Sequence, residues 1–399
     1  MTQNEQNFFG LGIAPAILTV IERLKFTVPT KIQYQAIPLA LQGQDVMGIA
    51  QTGTGKTMAF GIPLIQRLAQ IKGRALIVVP TRELALQVDE SLRKVASALG
   101  LRSVVLIGGD PINKQIHALK SSPRILIGTP GRLIDHMKQR TIHLNDIHIL
   151  VLDEADRMLD MGFGPQIATL LGQIPKDRQT MLFSATMPES IINIAKNYMK
   201  LPVHVEVAPT GSMAEKVSHE LFIVRKELKK ELLDCTLAQY KGSLLIFCRT
   251  KFSVAKLTKQ IRGMGHNAAE IHSDLSLGRR KESLEGFKRG KYRILVATDI
   301  AARGIDIKGL EVVINYDLPD DPENYIHRIG RTGRAGFEGH AISFATPDQR
   351  LDVKNIEKII NKTLPVRENH PSVPLERFHQ PKTPVMAFQT PRRMRTRRR

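Results

Sequence analysis

Ala50-Gln51-Thr52-Gly53-Thr54-Gly55-Lys56-Thr57 is the stretch from which the fold is read. A short apolar run, Val46 to Ala50, leads into it, and a second, Met58 to Ile65, leads out. Strand, glycine loop and helix in that order form a phosphate cradle. Gly53 and Gly55, with Thr54 between them, let backbone N–H groups turn inward onto phosphate oxygens. The helix beginning near Lys56 points its positive end at the same anion. Lys56 is expected to reach the β- and γ-phosphates of a nucleotide, and the Thr57 hydroxyl to hold Mg²⁺. The general pattern opens on glycine where this chain has Ala50.

Beyond the loop, short apolar runs recur at Ala75–Val79, Val104–Ile107, Ile125–Ile127, Ile147–Leu152 and Thr180–Phe183. They have strand length and the continuous Val/Ile/Leu character of strands buried on both faces. Helical patterns such as Arg82–Leu99 lie between them. Alternation of this kind predicts an α/β fold with a parallel sheet covered on both sides. Polar and glycine residues follow each run, at the sheet edge where open α/β folds bind ligands. Leu201–Ser218 then loses periodicity and reads as a linker. The pattern restarts at Leu244–Phe247, Ala268–Ile271, Ile294–Ala297, Val312–Ile314 and Ala341–Phe344. The second unit has no glycine-lysine loop of its own, so one nucleotide site shared across a cleft is expected. The expected units are a first lobe over 1–207, a linker over 208–217, a second lobe over 218–365 and a disordered basic tail over 366–399.

The 399 residues carry a net charge of +20, which points to an anionic partner, with nucleic acid ahead of membrane. Two cysteines, Cys235 and Cys248, are too few for a disulfide framework or a zinc site. The polar start lacks the regions of a signal peptide, and no apolar run reaches membrane-spanning length. A cytoplasmic location is the expectation.

Two further stretches carry chemistry. Asp153-Glu154 closes the run Ile147–Leu152, where Asp153 would bind Mg²⁺ and Glu154 would orient and deprotonate an attacking water. His327-Arg328-Ile329-Gly330-Arg331-Thr332-Gly333-Arg334 spaces three arginines by three in the second unit. Opposite a phosphate loop with no second cation, they suit an arginine-finger role.

These stretches together resemble the DEAD-box RNA helicases, which take their name from the tetrapeptide at Asp153–Asp156. The resemblance runs from about Phe8 to Pro347 with the motifs in order. Phe26 and Pro29–Gln33 resemble the Q motif, with Phe9 as its upstream aromatic. Pro80–Ala85, Gly108-Gly109, Thr129–Arg132, Ser184–Thr186, Leu245–Thr250, Ala297–Ile307 and His327–Arg334 resemble the later motifs. The family implies two RecA-like lobes, ATP and Mg²⁺ as cofactors, and RNA held by its backbone with little sequence specificity. It implies that Gln33 reads adenine, Phe26 stacks on it and Asp306 contacts the ribose. Thr81, Arg82, Gly109, Thr129 and Arg132 would hold RNA in the first lobe, and Arg249, Thr250 and Thr298 in the second. Ser184 and Thr186 would couple the lobes to hydrolysis, and His327, Arg331 and Arg334 would complete the catalytic set. Spacing by itself does not separate RNA from DNA; the Q motif and Asp-Glu-Ala-Asp favour RNA. Lys25 and Ser273 stand where the family usually has Gly, and Leu277 where it has Gln.

Overall fold

A computed structural model describes residues 7–51, 53–207, 217–302, 310–332 and 339–379. Seven strands build the first sheet: β1 (Val46–Ile49), β2 (Arg74–Val78), β3 (Ser103–Leu106), β4 (Ile125–Gly128), β5 (Ile147–Leu152), β6 (Gln179–Ser184) and β7 (Val203–Glu206). Their order is β3-β4-β2-β5-β6-β1-β7, and all pair in parallel. Six build the second: β8 (Val217–Ile223), β9 (Leu244–Phe247), β10 (Ala268–Ile271), β11 (Ile294–Ala297), β12 (Val312–Asn315) and β13 (Gly339–Ala345). Their order is β10-β11-β9-β12-β13-β8, again parallel throughout.

The continuous apolar runs have the burial that this arrangement requires. Along β2, Ala75 and Ile77 enter one core cluster while Leu76 and Val78 enter the cluster on the opposite face. Alternate side chains of a strand point to opposite faces, so a sheet covered twice needs apolar residues at every position.

Three expectations change. The aperiodic Leu201–Ser218 contains β7 and the start of β8. β7 is an edge strand of alternating polarity, Val-His-Val-Glu, with only Val205 buried, so it lacks the continuous apolar signature. The second lobe begins at Val217, one residue inside the expected linker, whose residues 208–216 lie outside the described residues. Gln33 sits in the first turn of the helix Lys31–Leu41.

The third change concerns the tail. Residues 366–379 are packed on the second lobe instead of trailing from it. The Leu221 N–H donates to the Pro365 carbonyl at 2.9 Å, the Arg367 N–H to Leu221 at 2.8 Å, and the Glu376 N–H to Ile223 at 2.8 Å. Val373 is buried in the core, and Leu375 packs beside it. β8 is the edge of its sheet, and this segment covers backbone groups that an edge leaves open. Prolines suit such an edge because they need not donate to the ladder. Residues 380–399 lie outside the described residues.

Val373→Asp would place a carboxylate in an apolar pocket without a partner. It should destabilise the second lobe by about 2–4 kcal/mol in urea unfolding. An unchanged unfolding midpoint would mean that the segment is not part of that core.

Candidate functional site

The phosphate loop follows β1, and the Ala50 N–H donates to Ser184 of the neighbouring β6 at 2.9 Å. Gly53 and Gly55 both have left-handed backbone, with φ of 85° and 91°. A side chain at Gly55 would also meet Gln33, since a Cβ there would lie 2.4 Å from Nε2. Thr54 Oγ1 donates to Gln51 O at 2.7 Å and pins the turn. Gln33 ties the loop to the helix before it: Nε2 donates to Gly55 O at 3.1 Å, and Oε1 accepts from the Thr30 N–H at 2.9 Å. One N–H and one lone pair of its amide are thereby used, leaving one of each. Phe26 is 42% exposed, so its ring is not core packing. Lys25 has φ of 61°, the conformation that glycine at this position would adopt without strain. At the chain start Phe8 is buried, and Phe9 is 64% exposed.

Lys56 opens the helix Lys56–Gln70 and is buried, with no hydrogen-bond partner for Nζ among the described residues. A buried ammonium without acceptors is costly, and a bound anion would remove that cost. Around it lie Asp153, Glu154 and Asp156, each buried and each within reach of its charge. Burial pushes the Asp153 carboxyl up to about 6 against the pull of Lys56. Burial acts on Glu154 in the same sense, but Arg157, Lys56 and Arg331 outweigh it and hold that carboxyl below its ordinary value. Glu154 has φ of 52°, left-handed backbone that is uncommon for a side-chain-bearing residue and recurs at functional sites.

Two residues of this centre had no role assigned from sequence. Arg157 forms a buried ion pair with Glu154 from the next turn of chain. Asp156 Oδ2 accepts from the Ala185 N–H, the Thr186 N–H and Thr186 Oγ1 at 3.0, 2.9 and 2.9 Å, while its own N–H donates to Ser184 Oγ at 3.3 Å. Asp156 therefore locks the end of β5 to the end of β6. The spacing of Arg157 three residues after Glu154 was the one available signal.

The second lobe contributes Arg331, buried, whose charge is felt by Glu154. Arg328 does not share that role. It is fully buried, donates to both oxygens of Asp299 at 2.6 and 2.7 Å and to Asn315 at 3.0 Å, and lies over the Phe247 ring. The helix Glu323–Ile329 carries Arg328 and ends before Arg331. His327 borders the same cavity as Phe247, Asp299 and Arg331. Arg334 and Asp306 lie outside the described residues.

The model of the DEAD/DEAH box helicase family matches residues 30–194, and that of the helicase conserved C-terminal domain matches residues 225–336. The chain is 44% identical over 361 residues to the DEAD-box ATP-dependent RNA helicase CshA of Geobacillus kaustophilus, covering 90% of this chain and 77% of the relative. A point variant of Saccharomyces cerevisiae Dbp5 bound to RNA and ADP BeF3 superimposes with a TM-score of 0.80 at 33% identity, over 91% of this chain and 95% of that one. Dbp5 bound to Gle1 and IP6 superimposes with a TM-score of 0.71 at 32% identity, over 91% and 95%. The chain belongs to the DEAD-box helicase family. It is an ATP-dependent RNA helicase, built as two RecA-like lobes.

Sheet order brings the expected RNA-contacting residues of this helicase together, away from the nucleotide loop. In the first lobe β3, β4 and β2 are neighbours, and the segments after them carry Gly109, Thr129 with Arg132, and Thr81 with Arg82. The Arg82 guanidinium rests on the Gly108-Gly109 backbone, where a Cβ on Gly109 would lie 2.2 Å from Nη1. Thr81 Oγ1 accepts from the Leu84 N–H at 3.3 Å as a helix cap. Thr129 precedes another helix, and Arg132 Nη1 donates to Asp110 O at 2.9 Å, bracing the glycine turn. In the second lobe β11 and β9 are neighbours and carry Thr298, Arg249 and Thr250. Arg249 pairs with Asp320 at 3.0 Å, and Thr250 Oγ1 accepts from the Ser253 N–H at 3.1 Å.

Glu154→Gln keeps the shape of the site and removes the carboxylate. Nucleotide and RNA affinity should remain within a few-fold of wild type while turnover falls by about 10²-fold or more, read by equilibrium titration beside steady-state hydrolysis. Turnover within a few-fold of wild type would exclude Glu154 as the residue that orients the water.

Proposed function

We propose that this helicase hydrolyses ATP in a cleft shared by its lobes and uses closure of that cleft to bend RNA and part a few base pairs. The observation that carries this reading is Arg331 of the second lobe acting on the carboxyl of Glu154 in the first. The greater likeness to the yeast structure with RNA and ADP BeF3 than to the one with Gle1 and IP6 supports the same closed arrangement.

In this reading the glycine loop and Lys56 bind the phosphates of ATP. Mg²⁺ would sit beside them, where buried Asp153, within reach of Lys56, and the Thr57 hydroxyl would share the ion with phosphate oxygens, as hard divalent cations commonly require. When bound, Mg²⁺ supplies neutralisation of phosphate charge. Glu154, held ionised, orients the attacking water and accepts its proton as the terminal phosphoanhydride bond breaks. Its ion pair with Arg157 keeps the carboxylate aimed. Arg331, with Arg334, meets the charge on the transferring phosphoryl group, and His327 supports that segment. The free N–H and lone pair of Gln33 match the donor and acceptor of adenine's edge, with Phe26 stacked on the ring and Asp306 at the ribose. Loss of the terminal phosphate is relayed from Asp156 to Ser184 and Thr186. RNA held at its backbone by both lobes is bent on closure, and contacts of that kind carry little sequence information. Two free thiols, with Cys248 buried, suit the reducing cytoplasm.

Arg331→Ala should leave ATP affinity within a few-fold and lower the maximal RNA-stimulated rate by about 10²–10³-fold, as loss of a transition-state donor does. If the rate held while affinity collapsed, Arg331 would be a ground-state anchor and the shared-site mechanism would fail.

Seven basic and no acidic residues lie from Lys382 to Arg399. We infer that they tether RNA. Each phosphate contact on a single strand adds about −0.7 to the slope of log K against log salt, so deletion of 382–399 should flatten that slope by at most about five units. The rate at saturating RNA should stay nearly constant. Superimposable salt slopes for the two proteins would make the tail a bystander.

A further inference from the structure

Leu277 opens the helix Leu277–Lys288 of the second lobe, yet it packs against the core of the first. It belongs to none of the core clusters of its own lobe. Among the described residues, no other second-lobe hydrophobic side chain packs against either first-lobe core. One turn further along the same helix, Arg280 lies 2.8 Å from Glu83 of the first lobe, with both side chains almost fully buried. Glu83 is in the first turn of the helix Arg82–Ala96, directly after Thr81 and Arg82. The second-lobe helix is thus seated where the first lobe is expected to hold RNA.

The two contacts differ in what they can do. Glu83 and Arg280 are close, but neither carboxylate oxygen has an aligned hydrogen bond, and Arg280 Nε also lacks one. A buried ion pair with poor alignment recovers little beyond the cost of stripping both charges of water. It fixes register, since any other seating would strand a charge. The favourable free energy of seating must come from elsewhere at this junction, and Leu277 is the apolar group available. Burying a leucine is also undirected, so the knob can engage before the ion pair is fully aligned.

We propose that Leu277 is a positioning residue for the known reaction: an apolar knob that docks the second lobe on the Arg82–Ala96 helix and so lowers the RNA concentration needed for closure. It touches neither nucleotide nor RNA. Closure that Leu277 favours is closure that RNA need not drive, and the apparent RNA affinity rises by the same factor. Arg82, beside Glu83, keeps its guanidinium on the Gly108-Gly109 turn. This inference rests on the shared-cleft reading above.

The test compares Leu277→Ser and Leu277→Met with wild type in the full-length chain. Fluorophores on the two lobes report their separation with RNA, Mg²⁺ and ADP BeF3, and ATPase assays give the half-saturating RNA concentration and the maximal rate. Leu277→Ser should raise half-saturation about fivefold, with the maximal rate within about twofold and a shift toward the separated state at subsaturating RNA. Leu277→Met, still apolar and of similar volume, should behave as wild type. Unfolding temperatures should be unchanged in both, because Leu277 is outside the core of its own lobe. The proposal is overturned if Leu277→Ser leaves separation and half-saturation unchanged, if it lowers only the maximal rate, or if its effect follows a lower unfolding temperature. The fluorophore distance reads docking without turnover, so failure of the hydrolytic mechanism would be distinguishable from failure of the knob.

Discussion

A buried ammonium without a hydrogen-bond partner among the described residues sets the terms for the rest of this structure. Lys56 stands at the start of its helix, and three carboxylates surround it. None of these groups would be tolerated alone at this depth. Together they leave a site in which one cation faces the place of a triphosphate while the acids divide the remaining work by environment. Burial pushes the Asp153 carboxyl up to about 6. Glu154 is held ionised by three positive neighbours, one of them from the other lobe. Asp156 spends its lone pairs on the end of β6.

Sheet order converts this local chemistry into a machine with two ligands. The loops after β5, β6 and β1 form the nucleotide side of the first lobe, and those after β2, β3 and β4 form the expected RNA side. The boundary between them is the parallel β2–β5 pair, whose register shifts between Arg74 and Ala75 and is regular from the Ala75–Ile149 pair to the Val78–Leu152 pair. The second lobe acts on the first at both places: the charge of Arg331 reaches Glu154, and Arg280 with Leu277 packs at the Arg82–Ala96 helix.

Much of this was legible in the chain. Phosphate chemistry demands fixed short spacings, so Gly53, Gly55, Lys56, Asp153 and Glu154 could be read from neighbours in sequence. Strands buried on both faces announce themselves as unbroken apolar runs, and every central strand was found that way. The edge strand β7 was not, because only one of its faces is covered and its residues alternate. The segment 366–379 was misjudged for a related reason: prolines and charge describe how a chain looks in isolation, and they do not reveal an edge strand waiting to be covered.

What the sequence determined by itself was the chemistry and the class of fold, since both follow from residues within a few positions of one another. What only the tertiary structure decided was which side chains pair across long stretches of chain. Gln33 braces the phosphate loop 22 residues away, and Arg132 braces the glycine turn at Asp110. Arg328 pairs within its own lobe while the charge of Arg331 reaches Glu154, and Leu277 packs against the core of a lobe it is not part of. Strand order and lobe docking are set by the summed burial of the whole chain, and no local spacing encodes them.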